Sequence, residues 1–249
     1  MDIGAYLERI GYNGPRNPSP ENLRALHLAH LHTVPFENLD IHLGRTLSLN
    51  GNALFDKIVT RRRGGFCYEL NGLFAALLGE LGFRITMVSA EVARQSGGFS
   101  PPFDHLALLA DLDEPWLVDV GFGNSFCEPL RLHEAAAQPQ GDAAYLILLD
   151  GDYRNVLRRD RDGDWTPQYR FTLQPHSLAD FAERCRFHQT SPESHFTQNR
   201  ICTLALPEGR ITLSGTRLIV TTAAGRTETE LASAAEYTAV LRERFGVVE

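Results

Sequence analysis

Cys67, His105 and Asp119 are the three residues of this chain whose types and settings suit nucleophilic chemistry. Cys67 lies in Arg63-Gly64-Gly65-Phe66-Cys67-Tyr68-Glu69-Leu70-Asn71. Beyond the two glycines, apolar residues recur at Leu70, Leu73, Phe74, Leu77, Leu78 and Leu81. Spacings of three and four predict a helix with one buried face. Cys67 then falls in or next to its first turn, where unpaired N–H groups and the positive dipole end favour thiolate over thiol. Arg61, Arg62 and Arg63 add positive charge just upstream. An isolated cysteine is more often a buried structural residue, so partners decide the matter.

The partners come from a single stretch. Asp104-His105-Leu106-Ala107-Leu108-Leu109 and Trp116-Leu117-Val118-Asp119-Val120-Gly121-Phe122-Gly123 flank the polar run Asp111-Leu112-Asp113-Glu114-Pro115. This is a hairpin pattern. If Leu109 faces Pro115, the constant sum of paired residue numbers puts His105 opposite Asp119, and a one-residue slip would move Asp119 to the other face. A carboxylate within Leu-Val-Asp-Val needs a hydrogen-bonded partner, and His105 is the natural one. Nucleophile, base and orienter are the three roles of a triad.

Arg-Gly-Gly-Phe-Cys with Glu69 and Asn71, then Asp-His-Leu, then Val-Asp-Val-Gly-Phe-Gly, in that order, resembles the arylamine N-acetyltransferases. Val34-Pro35-Phe36-Glu37-Asn38-Leu39, Thr190-Ser191-Pro192-Glu193-Ser194-His195-Phe196 and Leu206-Pro207-Glu208-Gly209 extend the match. The resemblance implies a Cys67-His105-Asp119 acetyltransferase that uses acetyl-coenzyme A as co-substrate, with no permanently bound cofactor and no metal. A ping-pong cycle would carry the acetyl group through Cys67 to an arylamine, arylhydroxylamine or hydrazine. Phe36 and Phe122, with Phe66, Phe103 and Asp104, would bind the acceptor, and Glu37 would meet Arg63 beneath the nucleophile. The implied fold is α+β: a helical bundle (residues 1–83) carrying the nucleophile, a β-barrel (84–185) carrying His105 and Asp119, and an α/β lid (186–249), with the triad at their junction. Three other activities fit the same residues: an amide synthase of the same family that closes macrolactams, a thiol hydrolase or transglutaminase-like enzyme, and a catalytically silent binding module.

Composition narrows the class further. The 249 residues suffice for one large or two to three small domains. With 43% hydrophobic and 22% charged residues, the chain reads as an ordinary soluble globular protein. A net charge of −7 argues against nucleic acid as a partner, because phosphate binding needs a basic field. Any anionic ligand such as coenzyme A must therefore meet local positive charge or backbone donors. Cys67, Cys127, Cys185 and Cys202 show no pairing pattern, which suits reduced thiols and a cytoplasmic setting. The first residues contain acids and no long apolar run, so neither a signal peptide nor a membrane span is expected.

The elements that must position these residues change in texture along the chain. Ser19-Pro20-Glu21 opens a capped helix through Leu23, Leu26 and His27; Leu54, Phe55, Ile58 and Val59 predict a second, and Cys67 to Leu81 a third, closed by Gly82. Strands are expected from Ile85 to Val88, Leu106 to Leu109, Trp116 to Val120, Tyr145 to Leu149 and Tyr169 to Leu173. A short helix from Pro175 to Phe181 follows, then strands at Arg210 to Leu213, Arg217 to Thr222 and Thr227 to Leu231. Ser233-Ala234-Ala235-Glu236 is a capping box that opens a last helix. Helices, then strands, then a mixture is an α+β pattern. Gln95 to Phe103 reads as a lip of the cleft, Pro139 to Asp142 as a turn, and Arg158 to Asp164 as a charged hairpin tip. His27, His30, His32 and His42 do not share one face, so no metal site is expected of them.

Overall fold

The N-terminal helices start where their caps dictate. In the computed structural model, which describes residues 1–161 and 163–248, α1 (Ile3–Arg9) is capped by Asp2 and α2 (Pro20–Leu31) by Ser19, whose side chain accepts from the Asn22 N–H. Asp162 of the expected hairpin tip and Glu249 at the end of the expected third part lie outside the described residues. A two-residue strand β1 (Phe36–Glu37) and two short helices, α3 (Leu39–His42) and α4 (Gly51–Phe55), lead to a wide π-helical turn (Asp56–Thr60). The expected second amphipathic helix is therefore α4 plus this turn. Lys57, Ile58 and Val59 are all buried there, and three consecutive inward residues exceed one face of an ordinary α-helix.

The helix α5 (Cys67–Glu80) differs from expectation in the same way. Every residue from Cys67 to Ala75 is buried, with Leu77 and Leu78, so α5 is a central helix enclosed on all sides. Its N-cap is Phe66, and the Glu69 carboxylate reaches back to the Phe66 N–H at 3.1 Å.

The strands β2 (Arg84–Val92), β3 (His105–Asp111), β4 (Pro115–Val118), β5 (Leu130–Arg131), β6 (Gln138–Gln140), β7 (Ala143–Asp150), β8 (Tyr153–Asp160) and β9 (Thr166–His176) form one sheet, ordered β5-β4-β3-β2-β9-β8-β7-β6. Neighbours are antiparallel and the sheet curls into a nearly closed barrel around Val88, Ala107, Leu117, Val156 and Phe171. The expected turn at Pro139 and Gln140 and the tip at Arg158 to Asp160 are instead strand ends in β6 and β8. Charges on the outer face of these strands hid their pairing. The expected helix from Pro175 also begins late: Pro175 and His176 finish β9, and a 3₁₀ turn (Leu178–Phe181) precedes α6 (Ala182–Thr190).

After α7 (His195–Gln198), a second sheet of β10 (Ile201–Leu206), β11 (Gly209–Ser214), β12 (Arg217–Thr222) and β13 (Gly225–Glu230) takes β1 as its outer strand. Phe36 pairs with Thr203 and Glu37 with Cys202, so the N-terminal segment is stitched into the last sheet. Helix α8 (Ala234–Phe245), capped by Ser233, covers that sheet through Tyr237, Leu241 and Phe245. Its reciprocal carboxylate, Glu236, accepts from Ala232 rather than Ser233.

Asp104 fastens α6 to the start of β3. Arg184 Nη2 lies 2.5 Å and His188 Nε2 3.0 Å from Asp104 Oδ1, and His188 Nδ1 lies 3.0 Å from Ser194 Oγ. Burial opposes the Asp104 charge, but the hydrogen bonds from His188 and Arg184 outweigh it and hold the carboxyl at about 2. An unfolded aspartate titrates near 3.9. The clamp therefore adds stability that is complete above the unfolded value and is lost as pH falls through the folded one. In urea unfolding, the gap between wild type and Asp104→Asn should be widest near neutrality and should narrow below about pH 4. A gap that holds constant down to about pH 2 would remove the clamp from the acid response.

Candidate active site

Cys67 is the first residue of α5 and only 3% exposed. The chain reaches it through a gap only glycine fits: a Cβ on Gly64 would lie 2.0 Å from the Pro35 carbonyl oxygen. On the opposite side, a Cβ on Gly121 would lie 2.8 Å from Cys67 Cα. The expected acidic thiol meets opposing influences here. Burial pushes the Cys67 thiol well up, a backbone hydrogen bond from Leu106 pulls it down, and Asp119, Cys185 and Asp104 push it up again. Burial also raises Cys127, Cys185 and Cys202. The helix start and the removal of water thus act on the sulfur in opposite directions. A proton leaving the sulfur must stay inside the site.

His105 and Asp119 meet: His105 Nε2 lies 2.7 Å from Asp119 Oδ2, with both residues 2% exposed. The hairpin register differs from expectation by two residues, since Leu109 pairs with Leu117 and Asp111 with Pro115. Asp119 lies just beyond β4, and the even shift keeps it on the same face as His105, in diagonal contact. Burial works against the Asp119 charge, yet His105, Asn71 and the Gly121 N–H together hold its carboxyl below the usual range.

Asn71, quoted in the motif but given no role, joins these segments. Its Nδ2 donates to Leu106 O at 2.6 Å and Asp119 Oδ1 at 2.8 Å, and its Oδ1 accepts from Val120 N at 2.9 Å. His27 completes the support from α2. A carbonyl only accepts, so Nδ1 donates to Cys127 O at 2.8 Å, while Nε2 lies between the Asp119 carbonyl at 3.1 Å and the Asp119 N–H at 3.2 Å and in the neutral ring accepts from the latter. Burial lowers His27, which fits this neutral tautomer.

Beneath the Cys67 turn lies a buried ionic network. Arg63 Nη2 sits 2.8 Å from Glu37 Oε1 and 3.1 Å from Asp40 Oδ1. Lys57 Nζ sits 2.9 Å from Asp40 Oδ2 and 2.8 Å from Glu69 Oε1. Three buried carboxylates thus face two buried cations, with the exposed Arg45 3.4 Å from Asp40, and burial pushes Glu69 up while it lies against Lys57. The sequence pairs Glu37 with Arg63 but hides Asp40, Lys57 and Glu69, which look like ordinary helix-surface charges.

The aromatic residues divide into two groups. Phe122 stands edge-on to His105 with centroids 5.1 Å apart, and Tyr169 lies 5.1 Å from both rings. Phe36 packs under Gly123, 3.5 Å from where a Cβ would be. Phe66, by contrast, has no exposed surface and packs edge-on to Tyr68 and Phe196. Phe103 packs on Phe181 and His176, in the left-handed region at φ 64°, held by Ser89 Oγ on its N–H and by the Tyr68 hydroxyl on its carbonyl. Asp104 is committed to Arg184 and His188. Among the described residues, no three His, Cys, Asp or Glu side chains converge as a metal site, and no helix is long and apolar enough to cross a membrane.

Comparison with known proteins follows this geometry. A family model described as N-acetyltransferase matches residues 20–248. The arylamine N-acetyltransferase of Mycolicibacterium smegmatis is 35% identical over 254 residues, covering 99% of this chain and 92% of that protein. The structure of arylamine N-acetyltransferase from M. tuberculosis superposes with a TM-score of 0.92 at 36% identity, covering 98% of this chain and 93% of that one. That of the Mycobacterium marinum enzyme in complex with CoA superposes with a TM-score of 0.90 at 33% identity, covering 98% and 92%. Matched in sequence and in fold over nearly its whole length, this chain is an enzyme of the arylamine N-acetyltransferase family.

Proposed function

We infer that the protein moves the acetyl group of acetyl-CoA through an acetyl-Cys67 intermediate to the nitrogen of arylamines and hydrazines, or to the hydroxylamine oxygen of arylhydroxylamines. The observation that carries the mechanism is the 2.7 Å contact of Asp119 with His105 Nε2, which leaves Nδ1 for the cysteine side. His105 takes the Cys67 proton as the sulfur attacks the thioester carbonyl. The resulting imidazolium is held by Asp119, and the developing oxyanion lies toward the N–H groups at the start of α5. Collapse expels coenzyme A as its thiol, which recovers the proton from His105. The acceptor amine then attacks the acetyl-Cys67 carbonyl and gives up a proton to His105, and the amide leaves with Cys67 restored.

CoA as co-substrate is supported by the M. marinum complex. For the acceptor we assign Phe36 and Phe122 as the walls, because one lies beside His105 and the other under Gly123. Phe66, Phe103 and Asp104 act from behind, through packing and the clamp on α6. Arylamines suit such walls because they are uncharged at neutral pH and enter without desolvating a cation. Four free cysteines fit a reducing, cytoplasmic setting.

Mixing the protein with acetyl-CoA alone should add one acetyl mass to Cys67, and an arylamine should remove it as the amide. No adduct on Cys67 would sink the acetyl-cysteine step and favour a carrier-bound acyl donor. Release of acetate from the adduct as fast as amide would favour a hydrolase.

Because the Cys67 proton moves to His105 rather than to water, the ion pair carries no net change in protons. Its population, and with it the iodoacetamide labelling rate, should stay flat from about pH 7 to about pH 9. A lone thiol raised by burial would gain about tenfold per pH unit instead, and that slope would separate His105 from the chemistry.

Asp119→Asn should leave the fold in place but turn an amide N–H toward His105 Nε2. That favours the tautomer with the proton on Nδ1, which has no lone pair there to accept the Cys67 proton. Turnover and Cys67 acetylation should both fall on the order of a thousandfold, less than the roughly ten-thousandfold loss for the same change in a serine-protease triad. Acetylation at the wild-type rate in a folded variant would leave only a Cys-His pair at work.

A further inference from the structure

Arg210 is a half-buried guanidinium whose contacts bring no counter-charge. From β11 it reaches the loop after Asp119, where Nη1 donates to the Gly123 carbonyl and lies 3.3 Å from Thr203 Oγ1. Among the described residues no carboxylate stands within ion-pair distance of it. A second guanidinium grips the next residue of that loop: Arg158 Nη1 donates to the Asn124 carbonyl at 3.4 Å and to its Oδ1 at 3.1 Å. Asp160 balances Arg158 at 2.8 Å, and the other nearby acid, Glu128, is taken by Arg24 at 2.5 Å. One positive charge thus stands uncompensated. Burial pulls Arg210 down from its ordinary value, and Arg158 presses the same way.

The location gives the charge its meaning. Gly123 directly follows Phe122, whose ring abuts His105, and Gly123 rests on the Phe36 ring. Taking a guanidinium out of water without a partner is costly, and a bidentate fork fits a carboxylate or phosphate. A net charge of −7 makes such a local positive point stand out.

We propose that Arg210 forms an anion subsite at the rim of the Cys67 cleft, which takes an anionic group of a substrate: a carboxylate on the aryl acceptor or a phosphate of the acetyl donor. The proposal rests on the acetyl-transfer reading for its substrates. It predicts that anionic arylamines are preferred over neutral ones, or that nucleotide-bearing donors are preferred over truncated ones, through Arg210.

Two ratios of kcat/KM test it in wild type, Arg210→Lys and Arg210→Gln. One compares 4-aminobenzoate with its ethyl ester; the other compares acetyl-CoA with S-acetyl-N-acetylcysteamine. One ratio should fall about tenfold or more in Arg210→Gln, with partial retention in Arg210→Lys, as expected for a lost charge-assisted pair. A fall in the first places the carboxylate there, and a fall in the second places the phosphate. Both ratios unchanged, whatever the absolute rates, would leave Arg210 as a clamp on Gly123 only and overturn the subsite.

A measurement on wild type covers the case in which neither variant folds. Benzoate should protect Cys67 from iodoacetamide at lower concentration than benzamide, or CoA at lower concentration than pantetheine. Equal protection within both pairs overturns the proposal. Protection needs no acetyl transfer, so failure of the acetyl-cysteine reading would register separately.

Discussion

One carboxamide, that of Asn71, holds the site together. It stands one helical turn beyond Cys67 on α5 and bonds at once to Leu106, Asp119 and Val120. Helix, barrel strand and the loop after β4 are thereby placed relative to one another by a single planar group. All four of these residues are buried, so every bond lost would leave a polar group unsatisfied, at about 1–3 kcal/mol each. The close approach of Gly121 to Cys67 depends on the same arrangement. Asn71 thus ties the helix that carries Cys67 to the strand that carries His105 without a hydrogen bond to the sulfur or the imidazole.

The ionic network below does the complementary work on the other side. Burying Glu37, Asp40, Lys57, Arg63 and Glu69 carries a desolvation cost that hydrophobic residues would not. What the charges supply is direction. Glu69 ends on the Phe66 N–H and Glu37 on the Leu39 N–H, so the network terminates on backbone at both sides of the Gly64 crossing. The π-helical turn is what brings Lys57 inward to join it. The last sheet enters as well, since β1 carries Glu37 and pairs with β10.

Much of this was legible in the sequence, and the failures are instructive. Cys67 at a helix start, and His105 with Asp119 on one face, follow from glycine placement and period-two alternation, which are local signals. The hairpin register came out two residues off because loop length is set by the turn, and Leu112 to Glu114 closes more tightly than its composition suggests. Strand β8 was missed because Tyr-Arg-Asn-Val-Leu-Arg-Arg-Asp buries fully only Val156. Asn71, Lys57 and Asp40 were unreadable as site residues, since their partners lie far away along the chain and only tertiary packing makes them inward-facing. The helix-start argument for an acidic Cys67 thiol counts the dipole but not the water that packing removes.

That removal of water sets a clock. Cys67 is 3% and His105 2% exposed, and Phe122 and Tyr169 close over the imidazole. An acyl group on this sulfur is an energy-rich thioester whose lifetime depends on how seldom a water molecule reaches it beside a competent base. In the proposed mechanism the aromatic cover would have to admit a flat amine and exclude the small, far more abundant competitor. In that mechanism, partition between productive transfer and idle loss of acyl groups would depend on the Phe122 ring beside His105 as well as on the three proposed reacting residues. A smaller side chain at that position would shorten the half-life of the loaded enzyme while leaving its loading step intact.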